Sequence, residues 1–115
     1  MSDSLPLFDR FPRLASIPRI ELCDLPSPVH RLEHHSIPGE LWIKRDDLNS
    51  PTLGGNKARA LEFLLGGLEP GDTVIAVGGA GSTHILSTAH YAKSLGAKTI
   101  AMRWTHDMNA VAQSV

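Results

Sequence analysis

"TVIAVGGAGSTHILSTAHYAKSLGAKTIAMRW", residues 73–104, is the stretch that decides the fold. It opens with Thr73 to Val77, a short apolar run dominated by β-branched residues, as expected of a strand covered on both faces. The turn Gly78-Gly79-Ala80-Gly81-Ser82 follows at once. From Thr83 to Leu95 the apolar positions Ile85, Ala89 and Ala92 recur at helical spacing, and Gly96 is placed to cap the helix C-terminus. "KTIAMRW" (98–104) reads as the next strand. A strand, a helix and a strand joined by short connections call for a parallel pair with a right-handed crossover.

The same alternation extends outward. Downstream, "THDMNAVAQSV" (105–115) reads as the first turns of another helix, with Thr105 as the candidate N-cap. Upstream, "LWIKR" (41–45) reads as a strand and "DDLNSPTLGGN" (46–56) as a loop rich in turn formers. That loop leads to a helix starting near Asn56 and closed by "GLEPGD". The order β-α-β-α-β-α predicts an α/β fold: an open parallel sheet with flanking helices in three layers. Six of the eight prolines (Pro6, Pro12, Pro18, Pro26, Pro28 and Pro38) fall in the first forty residues, which predicts an extended, irregular segment over 1–40. Residues 41–115 then form a small α/β domain. Its three strands leave two open edges and its last helix has no terminal signal, so the expectation is an incomplete domain from a longer protein.

Composition narrows the function classes. The chain has 115 residues, eleven Lys and Arg against twelve Asp and Glu, and a formal net charge of -1. That balance gives no electrostatic footprint for nucleic acid or an anionic membrane. Cys23 is the single cysteine, which excludes an internal disulfide and suits a reducing compartment. No basic-then-apolar leader is visible and no apolar run approaches the roughly 20 residues that span a bilayer, so the expected location is the cytoplasm.

The chemistry concentrates at two glycine turns, because ligands of open α/β sheets gather where strands feed helix N-termini. In the first turn, Gly54-Gly55-Asn56-Lys57, the lysine shares an azimuth with Leu61, Leu64 and Leu68, since side chains step by about 100° per residue. Arg59, Glu62 and Glu69 mark the expected solvent face. A lysine on the apolar stripe is open to two readings. Its stem can bend outward and leave the ammonium wet. Alternatively the amine is wanted in a pocket, where the positive end of the helix macrodipole and partial burial both favour the neutral form that bonds to an aldehyde. In the second turn, Gly78 to His84, a helix start offers free N–H groups to an anion, and Ser82 and Thr83 add hydroxyls.

Complete nucleotide motifs are missing. Gly79-Ala80-Gly81 begins a dinucleotide fingerprint whose last glycine is replaced by His84, and the spacing around Lys57 fails the phosphate-loop pattern. His34 and His35 are adjacent on a loop, while His84 and His90 lie on different helical faces, so no metal site is expected. Ser82 with His84 lacks the nucleophile-elbow glycines of a hydrolase. Asp46 and Asp47 read as loop-capping residues.

"IKRDDLNSPTLGGNKARALEFLL" followed by "TVIAVGGAGSTHILSTAHYAKSLGAKTIAM" resembles the N-terminal part of the pyridoxal-phosphate enzymes related to 1-aminocyclopropane-1-carboxylate deaminase and D-cysteine desulfhydrase, of the tryptophan synthase β-subunit-like fold, fold type II. The resemblance covers about residues 16 to 106, with the K-R-D-D, G-G-N-K and glycine-loop-serine elements in the family's order and spacing. It implies pyridoxal 5'-phosphate as cofactor, carried covalently by Lys57, with Asn56 and Thr83 as further cofactor contacts. It implies Ser82, Thr83 and His84 as substrate-binding residues, Ser82 lying near the carboxylate and counted with Lys57 as catalytic. Thr83 departs from the family's asparagine, and Leu86 stands where relatives commonly carry arginine.

The implied function is a lyase or deaminase acting on a small amino acid of the D-cysteine or 1-aminocyclopropane-1-carboxylate type, releasing ammonia and a 2-oxo acid. In full length the implied assembly is a homodimer. The 115-residue piece is expected to be inactive alone, because the phosphate cup and the group facing the pyridine nitrogen come from later residues in the family. The competing readings are a non-catalytic α/β module that binds a small anion, and a degenerate remnant.

Overall fold

Strands β3 (Thr73–Gly79) and β4 (Lys98–Trp104) pair in parallel, from Thr73 opposite Lys98 to Gly79 opposite Trp104. The helix α3 (Thr83–Ser94) makes the crossover between them. These elements belong to a computed structural model that describes residues 5–33, 36, 38–107 and 109–113. The expected strand-helix-strand unit is present, and Gly96 closes α3 at φ +76°, a left-handed conformation that costs glycine little. The entry ends of the two strands are tied together as well: Gly71 N–H donates to the Gly96 carbonyl at 3.0 Å and Lys98 N–H to the Asp72 carbonyl at 2.8 Å.

Segment 1–40 and the pairing of residues 41–44 differ from the expectation. Segment 1–40 holds a short helix α1 (Pro6–Arg10), a 3-10 turn (Pro12–Ser16) and strand β1 (Val29–Leu32). "LWIKR" supplies β2 (Leu41–Lys44), but β2 pairs antiparallel with β1, Val29 opposite Lys44 and Leu32 opposite Leu41. It is not a third parallel strand: a short connection suffices for an antiparallel hairpin, whereas parallel pairing needs a crossover element. Among the described residues there are thus two separate two-stranded sheets. The last helix, α4, covers Ala110–Gln113, so Thr105 is not its N-cap.

Helix α2 (Asn56–Leu64) starts where expected. It packs on α3 through Ala58, Leu61, Leu65 and Tyr91, each under 5% exposed, with Ile20, Leu22, Cys23 and Val74 closing the cluster. Each fully buried leucine contributes about 2 kcal/mol of burial. The buried face is rotated from the expected stripe: Leu64 is 69% exposed, while Glu62, expected on the solvent side, is 2% exposed. The reason is a strap of N-terminal chain across α2. Ile20 N–H donates to the Glu62 carbonyl, the Glu62 carboxylate accepts the N–H groups of Leu22 and Cys23, and Arg19 pairs with it at 2.8 Å. A buried carboxylate with a cation and two N–H donors is a satisfied charge. The strap lies so close that a Cβ on Gly66 would collide with the Pro18 carbonyl.

Strand β3 is covered on one side. Val74 and Ala76 face the helices, whereas Ile75, Val77, Ile100, Met102 and Trp104 on the other side are each more than half exposed. The expectation of a strand buried on both faces therefore fails for β3 among the described residues. Among these residues no helix is long and apolar enough to cross a membrane. No group of three His, Cys, Asp or Glu side chains among them is arranged to hold a metal ion, and His34 and His35 lie outside the described residues.

Candidate active site

The loop 45–55 delivers the first turn of α2, and its shape is set by polar groups. Asp46 accepts from Arg59 Nε at 2.9 Å and Nη2 at 2.7 Å, and from the Ser27 hydroxyl at 2.9 Å. The Arg59 guanidinium holds the Asp46 carboxyl down at about 2. Arg59, expected in solvent, is thereby drawn against the loop. Arg45 grips Asp47 through Nε and Nη2, which lowers that carboxyl too. So the two aspartates act as ion-pair anchors of the loop, not merely as turn caps. Helix α3 holds the loop from outside: the Tyr91 hydroxyl sits 2.6 Å from the Leu53 carbonyl and 2.9 Å from Ser50 Oγ, and His90 Nε2 lies 3.1 Å from Thr52 Oγ1.

Gly54 and Gly55 then turn the chain into α2. Gly55 has φ +118°, a region that favours glycine, and a Cβ on Gly54 would strike the Asp47 carbonyl. No side chain caps α2. Asn56 and Lys57 occupy its first turn, Asn56 exposed and Lys57 half-buried at the edge of the core face. Among the described residues no hydrogen bond or ion pair occupies the Lys57 ammonium or the Asn56 carboxamide.

The second turn lies at the carboxyl end of β3. Gly81 has φ +73°, and Ser82 caps α3, its Oγ accepting from Ile85 N–H at 3.4 Å. Ser82 presses against the strand: a Cβ on Gly78 would lie 2.8 Å from Ser82 Oγ. The parallel ladder runs on into this turn, since Ala80 N–H donates to the Trp104 carbonyl at 3.0 Å. Thr83 is exposed and His84 half-buried, and Thr83 Oγ1 has no hydrogen-bond partner among the described residues. On the other side of the turn is a residue that sequence reasoning passed over: a Cβ on Gly79 would come 2.9 Å from His106 Nε2 and 3.5 Å from Trp104 Nε1. Its only signal was its place just after the end of β4.

Ser82, Thr83 and His84 thus stand together at one helix start and Asn56 and Lys57 at another, on two helices that pack against each other. No hydrogen bond links the two starts among the described residues. An uncommitted primary amine, a free carboxamide and a free hydroxyl form a donor set that suits a group bearing an aldehyde and a phenolic oxygen. These residues fit pyridoxal phosphate.

Comparison with known proteins agrees with that chemistry. The chain is 42% identical over 93 residues to a D-cysteine desulfhydrase of Salmonella paratyphi A, a match that spans 77% of this chain and 28% of that protein. It is 47% identical over 72 residues to a bifunctional D-cysteine desulfhydrase/1-aminocyclopropane-1-carboxylate deaminase of Arabidopsis thaliana, spanning 59% of this chain and 18% of that protein. The chain therefore spans less than a third of the length of these curated relatives. Among solved structures, a crystal structure of an ACC deaminase homologue superposes with a TM-score of 0.66 at 30% identity, covering 90% of this chain and 39% of that one. The fold is accordingly that of the pyridoxal-phosphate enzymes of fold type II. The sequence pattern of the family described as pyridoxal-phosphate dependent enzyme matches residues 20–111, and the chain belongs to that family.

Proposed function

We propose that the full-length protein is a pyridoxal-phosphate-dependent lyase or deaminase that acts on a small amino acid of the D-cysteine or 1-aminocyclopropane-1-carboxylate type and releases ammonia and a 2-oxo acid. The observation that carries this reading is the Lys57 amine, uncommitted and half-buried, in the first helical turn after Gly54-Gly55. Lys57 Nζ is the nitrogen that would hold the cofactor, and the same nitrogen, once free, is placed to move a proton at a substrate carbon. When bound, the cofactor supplies a ring that takes up the electron pair left on that carbon.

The remaining residues bind and orient. Ser82 Oγ uses its lone pair on Ile85 N–H, so its hydroxyl proton stays free to donate to a substrate carboxylate. Thr83 Oγ1 and the Asn56 carboxamide complete the cofactor contacts, and His84 and Thr83 border the substrate beside Ser82. The donors at the start of α3 favour an anion there through the helix N-terminus. The same reading takes residues 41–115 as a small α/β domain, part of a two-domain enzyme, preceded by the segment 1–40. It also takes the enzyme to be a cytoplasmic homodimer.

The test is spectroscopic and chemical. Full-length protein mixed with pyridoxal phosphate is expected to develop an absorbance band near the visible edge that Lys57→Ala abolishes, and to release ammonia and a 2-oxo acid from one of the two substrates. An unchanged spectrum in Lys57→Ala would refute the assignment of the lysine.

A further inference from the structure

We propose that Asn49 is the positioning residue for Lys57: its buried carboxamide bonds both the N–H and the carbonyl of Gly55 and so fixes where α2 begins and where the lysine leaves it. The proposal rests on the reading of Lys57 as the residue that holds the cofactor.

Asn49 is fully buried, at 0% exposure. Its Nδ2 donates to the Gly55 carbonyl at 3.1 Å and its Oδ1 accepts from Gly55 N–H at 3.0 Å. The carboxamide thus bridges the two peptide groups that flank Gly55, the N–H of the one before it and the carbonyl of the one that opens the helix. That junction has few other supports. No side chain caps α2, and a Cβ on Gly55 would meet nothing within 4 Å, so packing does not hold this glycine. Hydrogen bonds do: Gly55 N–H also reaches the Asp46 carbonyl at 2.7 Å, and the Gly55 carbonyl takes the first helical bond from Ala58 N–H at 3.3 Å. The orientation of the Gly55 backbone is therefore the orientation of the first turn, in which Lys57 is the second residue.

Asn49 is anchored in turn, because its own carbonyl accepts from Asp24 N–H at 2.7 Å. Gly54 makes room for it, since a Cβ there would approach Asn49 Oδ1 to 3.3 Å as well as strike the Asp47 carbonyl. Few side chains can do this work. A carboxylate of the same shape has no donor for the Gly55 carbonyl and sets a negative charge against it, and leucine removes both side-chain bonds, leaving the Gly55 N–H to the Asp46 carbonyl and the Gly55 carbonyl to Ala58 N–H alone. Tyr91 holds the same loop by hydrogen bonds at Leu53 and Ser50 rather than at Gly55, and so serves as a structural comparison.

The experiment uses the full-length protein with Asn49→Asp, Asn49→Leu and Tyr91→Phe. The first readout is the rate at which free pyridoxal phosphate is captured at Lys57, followed by borohydride trapping and peptide mapping. Asn49→Asp is expected to slow capture about tenfold at neutral pH, as misplacement of a reacting group does. The rate should recover towards the wild-type value when acid protonates the introduced carboxyl and restores a donor. Tyr91→Phe should lower thermal stability and leave capture unchanged. A folded Asn49→Asp or Asn49→Leu protein that captures at the wild-type rate would overturn the proposal.

The second readout needs no variant and no cofactor. In the unloaded wild-type protein, NMR is expected to show slowly exchanging Asn49 side-chain N–H protons coupled through the hydrogen bond to the Gly55 carbonyl. A freely exchanging carboxamide would overturn the proposal even where the variants fail to fold. If the wild-type protein captures the cofactor at another lysine, the active-site reading falls, and the NMR measurement alone decides whether Asn49 holds the Gly55 backbone.

Discussion

Cys23 illustrates how one neighbour resets the chemistry of a side chain. Its backbone N–H donates to Glu62 Oε1 at 2.9 Å, and its thiol is half-buried beside that carboxylate. Burial first, and then the Glu62 charge, push the thiol up from 9.0 to about 11. A shift of that size lowers the thiolate fraction at pH 8 by about a hundredfold. Iodoacetamide is therefore expected to alkylate Cys23 in the folded chain about a hundredfold more slowly than in urea-unfolded chain at the same pH. Equal rates would show that Glu62 and the strap do not shelter the thiol. None of this was legible from the single cysteine, because it depends on a glutamate thirty-nine residues away. The place of Lys57 in the first turn of α2 was legible at this scale, since the glycine pair marks where the helix begins.

At the scale of elements, the Asp46–Arg59 pair joins the loop to α2 and makes their union sensitive to acid. The folded-state value of Asp46, about 2, lies below its ordinary 3.8, with the Arg59 hydrogen bonds as the chief cause. Folding thus favours the ionised carboxyl. The stabilisation is complete above 3.8 and is lost as pH falls from 3.8 towards 2. Urea midpoints measured across that interval are expected to fall more steeply for the wild-type chain than for Asp46→Asn, and parallel curves would refute the coupling. The β3-α3-β4 unit could be read from the sequence because glycine punctuation and a change of hydrophobic period mark each boundary. The pairing of β2 could not. Leu41 to Lys44 says strand but not which neighbour, and the choice was made by the short connection back to β1. Nor could the face of α2 be read from its own residues, since what covers Glu62 comes from residues 19–23.

The whole molecule is flat. Its principal extents are 50 × 47 × 23 Å and its radius of gyration is 17.0 Å, against about 13 Å for a compact chain of this length. One face of β3 and β4 is bare, with Ile75 60% and Ile100 53% exposed. Contiguous exposed apolar surface of this kind attracts apolar partners. The 115-residue chain is expected to enhance the fluorescence of an apolar dye such as ANS, and the double variant Ile75→Thr, Ile100→Thr to lose most of that enhancement at unchanged helix content. Equal dye binding by both would place the exposed surface elsewhere.

Gly66 carries a consequence for descent. With the Pro18 carbonyl against it, no side chain can be inherited at that position unless residues 18–20 take another route. Rerouting them would pull Arg19 from Glu62 and strand a buried charge. Glycine at 66, arginine at 19 and glutamate at 62 should therefore pass from ancestor to descendant as a set, kept or exchanged together.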